Sequence, residues 1–348
     1  MSLIEQLGLT APIIQAPMAG VSTPRMAAAI CNAGALGSIA VGATDTDGAG
    51  RMIAETRALT DRPFNVNLFV HATPRRDAAV ETAWLQALTP QFEAFGAVPP
   101  VALNTIYQSF ADDDAMLARL VADAPAVVSF HFGLPDVARI RALKAAGCLL
   151  LATATNLDEA LACKAAGMDA VVAQGWEAGG HHGMFDPDAD DSRLGTLALT
   201  RLLVMRAGLL VIAAGGIMDG RGVRAALDLG AVAAQLGTAF IACPESAADA
   251  GYRAALSSDA AHHTTMTCAV SGRPARCLRN RFTEWGEQTT AVIPDYPVAY
   301  DAGKALNAAA KAAGETGFGA QWAGQGAPLA RAMPAADLIA GLIEEMRA

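Results

Sequence analysis

A (β/α)8 TIM barrel carrying a smaller helical cap is the fold class this sequence predicts. Short β-type runs recur along most of the chain, and Ala-rich segments with helical periodicity separate them. Eight such runs can be counted, and most follow one another at about 20 to 30 residues, near the minimum for a βα unit. Strands that alternate with helices pair in parallel, and eight of them suffice to close a barrel.

The runs lie at Ile13–Ala16, Leu36–Val41, Phe64–Phe69, Ala126–Phe132, Leu149–Thr155, Ala170–Gln174, Leu209–Ala214 and Ala233–Phe240. Between the fifth and sixth, Asn156 is placed to cap a helix that Gly167 stops, and Asp219 to Gly230 repeats the arrangement. Two connections are longer. Val70 to Pro125 has room for extra helices and a loop at Val98-Pro-Pro-Val101, and Gly175 to Gly208 carries a Gly/His loop followed by the acidic run Asp186 to Asp191. That run lacks the spacing and terminal Glu of a calcium loop. The expected division is a barrel over residues 1–245, a helical substrate or cap region over 246–325, and a final helix within 326–348 that returns to the barrel.

Composition narrows the function. The 348 residues are 53% hydrophobic and only 5% aromatic, which suits close helix–sheet packing. A formal charge of −9 disfavours nucleic acid and anionic membranes as partners. The six cysteines show no C-x-x-C pairing, so reduced thiols are expected and no metal. The N-terminus lacks the pattern of a secretion signal and no apolar run reaches membrane-spanning length, so a cytoplasmic protein is expected.

In a barrel the chemistry lies at the C-terminal ends of the strands. Those ends read Gln15-Ala-Pro-Met-Ala-Gly20, Asn65-Val-Asn67, Ser129-Phe-His131, Gln174, Ala214-Gly-Gly-Ile217 and Gln235-Leu-Gly-Thr238. After Gln174 comes Gly175-Trp-Glu-Ala-Gly-Gly-His-His-Gly183, a turn nearly free of bulky side chains that presents imidazoles. Glycines let a backbone approach a ligand closely, and histidine exchanges protons near neutral pH. Gly215, Gly216, Gly237 and Thr238 follow strands seven and eight, where barrels bind phosphate through backbone N–H groups. No Rossmann fingerprint or Walker lysine is present.

These motifs, together with Ser271-Gly-Arg-Pro-Ala-Arg276 and Trp322-Ala-Gly-Gln-Gly326, resemble the nitronate monooxygenase family over nearly the whole chain. The resemblance implies an FMN-dependent enzyme that oxidises alkyl nitronates such as propionate 3-nitronate with O2 to carbonyl compounds and nitrite. It assigns His181 as the catalytic histidine. Ala16, Pro17 and Met18 would lie beside the flavin ring, and Asn67 and Gln174 would hydrogen-bond to it. Gly179 and Gly180 would approach the flavin, Gly215, Gly216, Gly237 and Thr238 would hold the phosphate, and Gln235 joins this set. Tyr296, Tyr300 and Lys304 would line the substrate pocket. His131 either contacts substrate or is a histidine satisfied by its neighbours; Glu177 makes a turn contact, and the Arg273–Arg281 cluster is expected on a solvated, salt-bridged face. An FMN-dependent NAD(P)H reductase of quinones or enoyl thioesters is the alternative, a non-catalytic flavin or phosphate binder is a third, and assembly as a homodimer is left open.

Overall fold

The computed structural model describes residues 3–348. Eleven strands are found among them, here numbered in chain order: β1 Ile13–Gln15, β2 Ser38–Ala40, β3 Asn65–Phe69, β4 Val127–His131, β5 Leu149–Ala154, β6 Ala170–Gln174, β7 Gly180–His181, β8 Leu210–Ala214, β9 Ala233–Leu236, β10 Thr264–Thr267 and β11 Ala275–Leu278. Eight form one parallel sheet in the order β1-β9-β8-β6-β5-β4-β3-β2. A parallel bridge between Ile14 and Leu36 brings the two sheet edges together, nearly closing a barrel.

Gln15 holds that seam. Its side-chain oxygen accepts from the Ser38 amide at 2.8 Å, and its backbone carbonyl accepts from the Ser38 hydroxyl at 2.6 Å. Both residues are fully buried, so their polar groups had to find partners in each other.

Strand alternation sorts the core into two layers. Val66, Leu68, Val128, Phe130, Leu150, Ala152, Val171 and Ala173 pack outward under the helices. The alternate positions Val127, Leu151, Ala170, Val172 and Ile212 fill the barrel interior. Continuing the inward column along each strand leads to Asn67, Ser129 and His131, Thr153, Gln174 and Ala214, which all reach the cavity at its mouth. The same parity that packs the barrel therefore aims polar side chains at one place.

Helix signals read from the sequence are present. Asn156 accepts the Glu159 amide at 2.9 Å, Gly167 ends that helix with φ of +86°, and Asp219 accepts the Gly222 amide at 2.7 Å. The eighth strand stops at Leu236 rather than Phe240; Thr238–Ile241 is a helical turn buried on every side, which gives periodicity nothing to act on. The final helix, Ala335–Arg347, packs Leu338, Ile339 and Leu342 on the helices Pro24–Asn32 and Gly220–Asp228 of the barrel. All six cysteines are free. No helix among the described residues is long and apolar enough to cross a membrane.

Residues beyond 245 are not purely helical. β10 and β11 form a hairpin to which β7, from the Gly/His loop, adds as a third antiparallel strand. The helix Ala78–Glu93, inserted between β3 and β4, packs Trp84, Leu88 and Phe92 into one apolar cluster with Phe282, Leu306 and Phe318.

Arg253, on the short helix Ala250–Leu256, ties that helix to the last turn of the barrel. Its guanidinium donates to the carbonyls of Ala242, Cys243, Ser246 and Ala248 at 2.9 to 3.0 Å. Arg253→Ala strands this carbonyl cluster and is expected to lower unfolding stability by about 2–4 kcal/mol, read from denaturant midpoints at an unchanged slope.

Candidate active site

Every residue singled out above for a catalytic, cofactor or substrate role lines one cavity of about 340 Å3 at the strand C-termini. Its floor comes from the barrel: Ala16, Pro17 and Met18 after β1, Asn67 on β3, His131 on β4, Gln174 on β6, Gly215 and Gly216 after β8, Gln235 on β9, then Gly237 and Thr238. Tyr296, Tyr300 and Lys304 form the opposite wall, the last two on the helix Val298–Ala312. Gly179, Gly180 and His181 close it from the side.

The histidine pair is split. His181 faces the cavity, whereas His182 is buried outside it, edge-on to Trp176 with its Nε2 3.3 Å from the Asp191 carboxylate. The His181 carbonyl accepts from His131 Nε2–H at 3.1 Å and from the Gln174 amide at 3.0 Å. The Gln174 oxygen in turn accepts the Gly183 amide at 2.7 Å. Gly183 has to be glycine: a Cβ there would lie 2.6 Å from Thr153 Cγ2 and 2.8 Å from His131 Cε1. His182 N–H donates to the Pro274 carbonyl at 2.8 Å, in line with the β7–β11 pairing.

Other contacts hold the loop from outside. Glu177 accepts the Thr196 amide at 2.7 and 3.0 Å, docking the loop on the N-terminus of the helix Thr196–Arg206. The Arg cluster departs from expectation. Arg273 and Arg276 are each 3% exposed, with no solvated face. Arg276 donates to the Trp176 carbonyl at 3.1 Å and covers the indole, while Arg273 donates to the Met184 carbonyl and lies 4.3 Å over the Phe132 ring. Only Arg279 and Arg281 form exposed ion pairs, with Glu284, Glu287 and Glu315. The π-faces of Phe132 and Trp176 reward burial of the two inner guanidiniums, which a charge-run argument overlooks.

The electrostatics favour uncharged rings. Burial first, then His131, Arg273 and His71, push the His181 imidazole well below the ordinary histidine range. Burial likewise lowers His131 to about 4. Since a carbonyl can only accept, His131 carries its proton on Nε2, and Nδ1 takes the Thr153 hydroxyl at 3.0 Å. Lys304 is the one lysine or arginine among the described cavity residues. Its ammonium lies 4.9 Å over the Tyr107 ring and 5.6 Å over Tyr300, and burial lowers its pKa.

Sequence reasoning missed Tyr107, which stacks edge-on with Tyr300 from an irregular segment without periodicity. It also gave no role to Trp322, 5.0 Å from the His181 ring, or to Ser271, 2.9 Å from His181 Nε2, although both stand in motifs already noted.

The cavity's phosphate-binding capacity can be judged from its donors. Among the described residues, the amides of Gly215, Gly216, Gly237 and Thr238 have no protein acceptor. Thr238 Oγ1 accepts from the Gly324 amide at 3.0 Å, so its own hydrogen remains to be donated. Such a cradle fits a phosphate monoester.

Known proteins point the same way. A family model described as nitronate monooxygenase matches residues 1–345. A nitronate monooxygenase from Paraburkholderia phytofirmans is 61% identical over 347 residues, covering 99% of this chain and 95% of the relative. One from Pseudomonas aeruginosa is 56% identical, covering 98% and 97%. Among solved structures, nitroalkane oxidase from Streptomyces ansochromogenes superposes with a TM-score of 0.87 at 41% identity, covering 97% of this chain and 96% of that one. FabK from Thermotoga maritima superposes at 0.75 and 28% identity, covering 100% and 96%.

Histidines kept neutral in the fold predict acid sensitivity. The unfolded chain takes up these protons near pH 6.5, whereas folded His131 does so only near 4. Stability is therefore full above pH 6.5 and falls as pH drops toward 4, by up to about 3 kcal/mol from His131 alone. Thermal melts across that range are expected to show the slope, and His131→Asn to reduce it.

Proposed function

Because this chain belongs to the nitronate monooxygenase family, an oxidoreductase family whose members oxidise nitronates, we propose that it does so with FMN in the strand-end cavity and O2 as co-substrate. Alkyl nitronates, propionate 3-nitronate among them, are the substrates, and carbonyl compound and nitrite the products. The observation that carries the reading is a single cavity that combines free amide donors with a neutral imidazole and one ammonium.

Gly215, Gly216, Gly237 and Thr238 would hold the FMN phosphate. Ala16, Pro17 and Met18 would flank the ring, with Asn67, Gln174, Gln235, Gly179 and Gly180 around its edge. Bound there, FMN supplies the electron acceptor for the nitronate and the site of O2 reduction.

The chain's own residues do the rest. Lys304, between two tyrosine rings, attracts the anionic substrate into a cavity of low dielectric, where one charge counts for more than in water. The aromatic wall of Tyr296, Tyr300, Tyr107 and Trp322 excludes water around it. His181 enters the reaction uncharged, so it can take up a proton, from the α-carbon of a nitroalkane or on arrival of the nitronate. His131 acts through another residue, holding the His181 backbone rather than meeting substrate with a free nitrogen.

The test is oxygen uptake by FMN-loaded protein given an alkyl nitronate, with nitrite assayed in the same vessel and no NAD(P)H. Matching uptake and nitrite support the reading; a flavin-loaded protein that consumes neither, yet oxidises NADH with a quinone, overturns it. In the same assay His181→Asn is expected to keep its FMN and lose about 10²–10⁴-fold in turnover. Lys304→Met is expected to raise the nitronate KM about tenfold or more while kcat changes less, because it removes a charge that meets substrate before the chemistry.

A further inference from the structure

Ser271 is completely buried, and its Oγ lies 2.9 Å from His181 Nε2, ninety residues earlier in the chain. The same Oγ lies 3.3 Å from the Arg273 carbonyl. A carbonyl can only accept, so the hydroxyl hydrogen goes to Arg273, and the Ser271 lone pairs face the imidazole. Among the described residues nothing else donates to that buried carbonyl, which would be left unpaired if the hydroxyl turned to the histidine. The nitrogen facing an acceptor must carry hydrogen, so Nε2 is protonated in the neutral ring. Nδ1 then holds the lone pair. Among the described residues it has no protein partner, and unlike Nε2 of His71 it is not sealed from solvent-accessible space.

We propose that Ser271 is a positioning residue that fixes His181 as the Nε2–H tautomer and leaves Nδ1 as the one nitrogen offered to substrate. The proposal rests on the reading of His181 as the proton-handling group and specifies which atom handles the proton. When a nitronate arrives, Nδ1 takes up a proton from solvent and becomes a donor toward the anion; Nε2–H stays on Ser271 throughout. With a nitroalkane, the α C–H bond breaks, its electron pair remains on the substrate as nitronate, and the proton moves to Nδ1. No carboxylate stands behind Ser271, since its hydroxyl ends on a peptide carbonyl, so the new imidazolium has only the substrate anion as its counter-charge. Aromatic rings with centroids 5.0 to 6.0 Å away pack round the imidazole and oppose its turning to present the other nitrogen.

Nitrogen NMR of the FMN-loaded protein, labelled with ¹⁵N in its histidine rings, tests this directly, with His181→Asn used to assign the signals. At pH 7 the expected spectrum has a protonated, pyrrole-type Nε2 and an unprotonated, pyridine-type Nδ1. Ser271→Ala is expected to give averaged signals from both tautomers and about a tenfold loss in kcat at unchanged FMN content; Ser271→Thr, which keeps a hydroxyl, is expected to restore both. A wild-type spectrum with the proton on Nδ1 overturns the proposal, as does a tautomer unchanged in Ser271→Ala. The wild-type spectrum decides even if the variants fold poorly. The tautomer is read without turnover, so a protein inactive on nitronates that still shows Nε2–H would refute the reaction and not the role of Ser271.

Discussion

The paired hydrogen bonds onto the His181 carbonyl, from His131 and from Gln174, are what the site depends on. The loop that carries His181 is mostly glycine and alanine and has little means of holding its own shape. Two barrel strands on either side of β5 therefore supply the donors, one from the end of β4 and one from the end of β6. Around that clamp, Glu177 fastens one end of the loop to a helix N-terminus and β11 fastens the other by strand pairing. The barrel and β11 thus grip the same backbone segment, and the imidazole it carries inherits the rigidity of both.

Burial explains the charge pattern as well as the geometry. His71, His131, His181 and His182 are all pushed toward the neutral form, with desolvation the leading cause in each. Arg273, itself lowered to about 10 by burial, adds positive potential from behind Phe132. Imidazolium is therefore costly until an anion arrives, and the standing positive charge within the cavity belongs to Lys304. In the proposed reaction one residue would attract the anion and another exchange the proton, so each can be tuned by its own surroundings.

Much of this was legible in the sequence because it depends on local rules. The eight strands were visible as apolar runs at βα spacing, and the inward column of Asn67, His131 and Gln174 comes from strand parity once the barrel is assumed. Asn156, Gly167 and Asp219 announced their helices through capping chemistry. What escaped detection depends on tertiary contact. β7 is two residues long and exists only because β11 lies beside it, so no local signal marks it. Arg273 and Arg276 read as surface charge until Phe132 and Trp176 are known to cover them. Tyr107 meets the cavity, and Ser271 meets His181 behind it, from segments whose path the sequence pattern does not determine.

The most direct test of the whole account is anaerobic mixing of the flavin-loaded protein with an alkyl nitronate while the visible absorbance of the flavin is followed. If the cavity brings nitronate, flavin and a neutral His181 together, nitronate alone bleaches that absorbance within the turnover time, and His181→Asn slows it by orders of magnitude. If nitronate leaves the absorbance unchanged while NADH or NADPH bleaches it rapidly, the cavity is a reductase site, and the assignment of His181 and Lys304 to nitronate chemistry is wrong.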